Sequence, residues 1–161
     1  MDTSVKLKPI GIIHTPYREL EGIPIQSRFG EKSRGHIELF PEYRDGLKDV
    51  EGFSHLILIY HFNREKGVRL VGRPFLEDQS HGVFAMRSPK RPNPIGFSIV
   101  KLEKVDDTGI TFSEVDMLDG TPLLDIKPYV SYFDSRRDVI NGWIEKHFQD
   151  GKKPEQTNLE S

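Results

Sequence analysis

The sequence predicts a mainly β domain, a small barrel or a sandwich, with a few short helices and a C-terminal helix. Three observations predict it. Short runs rich in β-branched and aromatic residues recur at close spacing, with turn residues between them. Eleven Pro and fourteen Gly among 161 residues supply those turns. The strand–helix rhythm of a Rossmann-type fold is missing, as are Gly-x-Gly-x-x-Gly and P-loop patterns. The length suits one domain over residues 1–150. Gly151 to Ser161 is polar and reads as a disordered tail.

The elements follow in order. Leu7 to His14 mixes β-branched and apolar residues and reads as a strand, interrupted by Pro9 and Gly11. Arg18 to Lys32 has no period and carries Gly22, Pro24 and Gly30, so it reads as a long loop with a task or mobility. Gly35 to Phe40 is a short strand. Pro41 opens a helix over Glu42 to Val50, with Tyr43, Leu47 and Val50 on one face. Phe53 to Phe62 is apolar at nearly every position, which predicts a strand buried on both faces. Gly82 to Met86, Phe97 to Val105 and Gly109 to Val115 read as further strands. Asp106 to Gly109 is the hairpin turn between the last two. Ser135 and Asp138 resemble a capping box, and Ile140, Trp143, Ile144 and Phe148 recur at helical spacing. That helix is expected to pack on the barrel or on a partner subunit.

Composition excludes several function classes. With no cysteine, there is no disulfide framework, Cys-ligated zinc or Cys nucleophile, which fits a reducing cytoplasm. The six histidines form no close metal-ligand pair, so no metal is expected. Met1 to Lys8 lack the apolar core of a signal peptide, and Leu56 to Tyr60 is too short to cross a bilayer. The net charge is only −2, but it is unevenly placed. Arg64 to Arg91 holds seven basic residues against three acidic ones, and Glu103 to Asp125 holds seven acids against one Lys. Such asymmetry suits a site with an anion-holding and a cation-holding wall, or two oppositely charged solvated stretches.

Two segments stand out. Arg87-Ser88-Pro89-Lys90-Arg91-Pro92-Asn93-Pro94-Ile95-Gly96 has three prolines that prevent helix and remove backbone donors. It reads as a stiff extended loop whose carbonyls, unpaired by secondary structure, suit an adenine or a sulfonium. Its cations offer anion donors. The plain alternative is a rigid connection with solvated cations. The second runs from Ser113 through Asp116-Met117-Leu118-Asp119-Gly120-Thr121-Pro122 to Leu123-Leu124-Asp125-Ile126-Lys127-Pro128-Tyr129. Its acids suit a ribose diol, a sulfonium counter-charge or a proton acceptor. Turn chemistry alone explains Asp119, but not Asp125 and Lys127, which share a strand parity.

At these two segments the sequence resembles the tRNA methyltransferase O family, also called TsaA-like. Ile10-Gly11, Pro16-Tyr17, Gly52-Phe53-Ser54-His55-Leu56 and Gly82-Val83-Phe84-Ala85 also match, so the likeness spans about residues 7 to 133. The resemblance implies a β-barrel outside the Rossmann class, usually dimeric, that binds S-adenosylmethionine (SAM). It implies methyl transfer to the exocyclic nitrogen of threonylcarbamoyladenosine beside the tRNA anticodon. By motif position the implied SAM contacts are Pro24, Ile25, Gln26, Asn63, Arg64, Arg87, Phe97, Ser113, Glu114, Val115 and Asp116. Asp125 is the candidate base, with Lys127 or Tyr129 as substrate-orienting groups. Lys90 and Arg91 are candidates for tRNA phosphate or the threonyl carboxylate. Ile25 departs from the charged or polar residue common in relatives, and the added C-terminal domain of some relatives is not expected here. A SAM-binding adaptor without transferase activity, and an enzyme acting on another small acceptor, are the competing expectations.

Overall fold

The structure is a computed structural model, and it describes residues 1–19, 23, 24, 26, 32–74 and 77–148. Its strands are β1 (Gly11–His14), β2 (Arg34–Leu39), β3 (His55–His61), β4 (Val71–Gly72), β5 (His81–Gly82), β6 (Ile95–Val105), β7 (Gly109–Ser113) and β8 (Thr121–Pro128). Six of them close a barrel in the order β1–β2–β7–β6–β3–β8, and β8 pairs with β1 to complete the ring. All pairings are antiparallel. The barrel, not the sandwich, is the architecture. β4 and β5 form a separate two-stranded ribbon.

Alternation along the strands fills the interior. Ile13, Ile37, Leu58, Ile110, Phe112 and Leu123 are sealed from solvent. Each such side chain contributes about 1.5–3 kcal/mol by burial. The helical turns after β8 bury no residue, so the barrel holds the fold. The β6–β7 hairpin turns where expected. Asp106 Oδ1 accepts from the Thr108 and Gly109 amides at 2.9 and 3.0 Å, and from the Thr108 hydroxyl at 2.8 Å.

Several elements differ from the sequence expectation. β3 is buried on one face only: Leu56, Leu58 and Tyr60 point in, while Ile57 and Ile59 are half-buried. A barrel has a single interior, so its other face looks outward. There Ile59 stands level with Phe97 and Asp125, and Ile57 with Ile99 and Lys127. The strand expected over Gly82 to Met86 ends at Gly82, and Val83–Ala85 makes a tight 3-10 turn that buries Val83. The helix after Pro41 is also of the 3-10 type, Pro41–Leu47, with a second turn at Val50–Gly52.

The predicted C-terminal helix breaks into pieces. α1 covers Ser131–Asp134, and Ser135 ends it rather than starting the next. A 3-10 turn at Gly142–Ile144 leads into α2 (Glu145–Phe148). Gly142 has a φ of +57°, a left-handed conformation that glycine adopts freely and that interrupts a helix at that point. Gly151 to Ser161 lies outside the described residues. Among the described residues no helix is long and apolar enough to cross a membrane.

Candidate functional site

A cavity of about 650 Å³ opens beside β3 and β6, within the usual size range of small-molecule sites. Five stretches wall it: part of residues 18–26, the end of β3 with the 62–65 turn, the proline loop, the start of β6, and residues 116–121. Tyr60, Phe62, Ile95 and Phe97 supply apolar and aromatic surface, and Asn63, Arg64, Arg87 and Asp116 supply polar groups.

Arg87 is anchored on two sides. Its Nη1 donates to Gln26 Oε1 at 2.6 Å, which ties the long loop to the proline loop. Its guanidinium lies 5.7 Å from the centroid of the Phe97 ring, in cation–π range. Arg64 Nη1 donates to the Arg18 carbonyl at 2.7 Å and fixes another corner.

The proline loop leaves its carbonyls outside any strand ladder, as expected, but several of them already have partners. Arg91 Nη1 donates to the carbonyls of Met86 and Ser88 at 3.0 and 3.2 Å. The amides of Arg69, Arg91, Ile95 and Phe62 take those of Lys90, Pro89, Asn93 and Pro94. Buried backbone acceptors seek partners wherever they find them. Here a side chain and neighbouring segments supply what the prolines withhold. Arg91 still lines the cavity. Lys90 is half-buried outside its wall.

A hydrogen-bonded chain runs from the core to the cavity. Ser98 Oγ donates to Asp116 Oδ1 at 2.6 Å, so the Tyr60 hydroxyl, 2.8 Å away, donates to Ser98. Burial, and then the Asp116 charge, push the Tyr60 phenol well above its usual range, so it stays protonated and keeps donating. A Cβ on Gly96 would run into the Tyr60 ring, so glycine is needed for the ring to lie across β6. Sequence reasoning did not single out Tyr60, Ser98, Phe62 or Thr121.

A family model described as the tRNA-methyltransferase O N-terminal domain matches residues 12–135. The chain belongs to this family. Similar members include a probable S-adenosyl-L-methionine-binding protein of Pyrococcus abyssi, 52% identical over 140 residues, which are 87% of this chain and 76% of that one. The tRNA (adenine(37)-N6)-methyltransferase of Escherichia coli is 36% identical over 85% of this chain and 63% of its own. A crystal structure of TrmO from Pseudomonas aeruginosa superposes with a TM-score of 0.75 at 36% identity, covering 88% of this chain and 63% of that one. The chain thus spans just under two thirds of the Escherichia coli and Pseudomonas relatives.

Among the positions that the tRNA-methyltransferase O resemblance implies, Pro24, Gln26, Asn63, Arg64, Arg87, Phe97 and Asp116 line one cavity. Ile25 lies outside the described residues. Ser113, Glu114 and Val115 stand behind the wall. Ser113 Oγ donates to Glu103 at 2.6 Å, and Val115 is fully buried. Glu114 has a φ of +64°, a rare turn for a non-glycine residue, between the end of β7 and Asp116. Asp125, Lys127 and Tyr129 are not cavity-lining. Lys127 Nζ pairs with Asp125 Oδ2 at 2.8 Å, and Asp125 Oδ1 accepts the Ile126 amide at 2.9 Å. Asp125 nonetheless shares the outer face of Phe97, two strand spacings or about 10 Å away. Among the described residues no group of three or more His, Asp or Glu is arranged to hold a metal.

Proposed function

We propose that the chain binds SAM in the cavity between Arg87 and Asp116 and transfers its methyl group to the exocyclic nitrogen of threonylcarbamoyladenosine beside a tRNA anticodon. The observation that carries this reading is the convergence, on one cavity, of positions that the family resemblance implies from five separate stretches. The residues fit the cofactor. Aromatic and apolar walls suit an adenine, Asp116 suits a ribose diol or the charge of a sulfonium, and the volume suits a molecule of that size.

When bound, SAM supplies an activated methyl group with its own leaving group, so the protein's task is chiefly positioning. Arg87, held by Gln26 and Phe97, keeps its wall in place. The acceptor nitrogen is amide-like and loses a proton as the new bond forms. Asp125 takes that proton, and Lys127 and Tyr129 orient the acceptor. Lys90 and Arg91 meet tRNA phosphate or the threonyl carboxylate. The chain acts as a homodimer in the cytoplasm.

The second reading is a SAM-binding protein without transferase activity. It is favoured by the position of Asp125, outside the cavity wall and already paired with Lys127. Incubation with methyl-labelled SAM and bulk tRNA, followed by nucleoside mass analysis, separates the two. The expected outcome is a labelled, methylated threonylcarbamoyladenosine. SAM binding with no labelled nucleoside across several tRNA sources assigns the second reading. For Asp125→Asn, single-turnover methylation should fall about 10²–10⁴-fold with unchanged SAM affinity, the usual worth of a general base. A near-normal rate moves the proton to another acceptor.

A further inference from the structure

Outside the cavity, one carboxylate is completely enclosed. The Glu77 side chain has 0% exposure. Its Oε1 accepts from Lys146 Nζ at 2.7 Å and from the amides of Asp78 and Gln79 at 2.9 and 3.2 Å. Its Oε2 faces His81 Nε2 at 3.1 Å and His147 Nε2 at 3.4 Å. A buried carboxylate is tolerated only when charged or hydrogen-bonding partners compensate for lost water. Two of these partners, Lys146 and His147, come from the segment Gly142–Phe148.

Among the described residues the segment has a further hold. α2 is four residues long and buries none of them, so it does not stand by its own helicity. Its second hold is Trp143. The indole stacks on His81 with ring centroids 4.6 Å apart and planes 12° from parallel. Its Nε1 donates to the Ala85 carbonyl at 2.8 Å. Ala85 ends the 3-10 turn two residues before Arg87. Both holds therefore bear on the chain that delivers Arg87 to the cavity.

We propose that Gly142–Phe148 clamps the cofactor wall and that Trp143 is a positioning residue. Through the Ala85 carbonyl, Trp143 fixes the backbone from which Arg87 reaches Gln26 and Phe97. The proposal rests on the cavity being the SAM site. The core of the barrel does not need the clamp; the proline loop does.

The test compares Trp143→Phe and Trp143→Ala with Ile37→Ala, a barrel-core substitution outside the cavity wall. Each is assayed by SAM titration, thermal melting and amide hydrogen exchange of Val83 to Arg91. Trp143→Phe keeps a ring for His81 but removes the donor, and should weaken SAM binding by about three- to tenfold, the worth of one hydrogen bond. Trp143→Ala should weaken it further. Both should speed exchange over Val83 to Arg91. Ile37→Ala should lower the melting temperature and leave SAM affinity and that exchange unchanged. Wild-type affinity and exchange in both Trp143 variants overturn the proposal. So does an equal loss of affinity in Ile37→Ala, because the effect is then general destabilisation. If the wild-type chain does not bind SAM, the cofactor reading fails, and the exchange measurement still decides whether the clamp holds the loop.

Discussion

Ser98 is only 2% exposed and hydrogen-bonds both the Tyr60 hydroxyl and Asp116. Replacing it with Ala leaves the Tyr60 hydroxyl buried without its acceptor and removes one hydrogen bond from Asp116. The expected cost is about 1–3 kcal/mol of stability from the stranded hydroxyl. A loss of SAM affinity should accompany it. Urea unfolding and calorimetric titration check both; wild-type values in both would make the bridge idle. Strand patterning hides this residue. In Phe97-Ser98-Ile99-Val100, alternation invites Phe97 and Ile99 inward and Ser98 outward. The structure does the reverse, with Ser98 and Val100 inside. The inverted parity is tolerable because Ser98 finds two partners within, and because Phe97 finds Arg87 outside. Arg87 and Asp116, by contrast, were legible, since an unusual loop and an acidic turn carry them.

At the scale of elements, the proline loop is a strut braced by one of its own cations. Arg91, a candidate for tRNA phosphate or the threonyl carboxylate, also holds the carbonyls of Met86 and Ser88 through its Nη1. Arg91→Met should therefore destabilise the fold by about 1–3 kcal/mol, through two acceptors left without a charged donor. Urea unfolding measures that, and tRNA binding at two salt concentrations measures any phosphate contact. Unchanged stability with weaker, less salt-dependent binding would make Arg91 a substrate residue alone. The elements that were misread share a cause. Periodicity reports which residues want burial, not how long a helix lasts. Ile140, Trp143, Ile144 and Phe148 keep helical spacing, but Gly142 breaks the backbone and Trp143 is drawn to Ala85. Gly82 to Met86 has strand composition, but β4 offers a partner for only two residues.

For the molecule as a whole, the mainly β class was legible from short strand-like runs and one clear hairpin, and the family resemblance implied the barrel, whereas β8, which closes the ring, carries too mixed a pattern to stand out as a strand. What joins the outer segments to it was not, because Glu77, Lys146 and His147 are far apart in sequence. Their cluster makes the fold acid-sensitive. Lys146 foremost holds the Glu77 carboxyl far below its ordinary value of 4.5, against the effect of burial. A depressed acid adds stability that is complete above 4.5 and is lost as pH falls below it. Lys146 is raised by the same bond, so its share is complete below 10.5 and is lost as pH rises past its folded value. Melting temperature should hence begin to drop as pH falls through 4.5 and keep dropping toward the depressed folded value. Glu77→Gln should be less stable at neutral pH and show a flatter acid limb. A parallel acid limb in the variant would place the sensitivity elsewhere.

The ring is completed by its shortest stave. β1, four residues long, pairs with β8 at the far end of the barrel sequence, Gly11 opposite Leu123. Thr121, at the head of β8, also lines the cavity. The seam and the cavity wall are thus made by the same late event. A chain leaving the ribosome carries two raw strand edges until β8 emerges, and only then has somewhere to hold a ligand. Long-range pairing of this kind is slow to form. Ligand added during refolding should accordingly leave the folding rate unchanged and slow unfolding alone, as interactions absent from the transition state do. Stopped-flow refolding with and without SAM reads that difference, and a faster folding limb would mean that the cavity exists before the ring is shut.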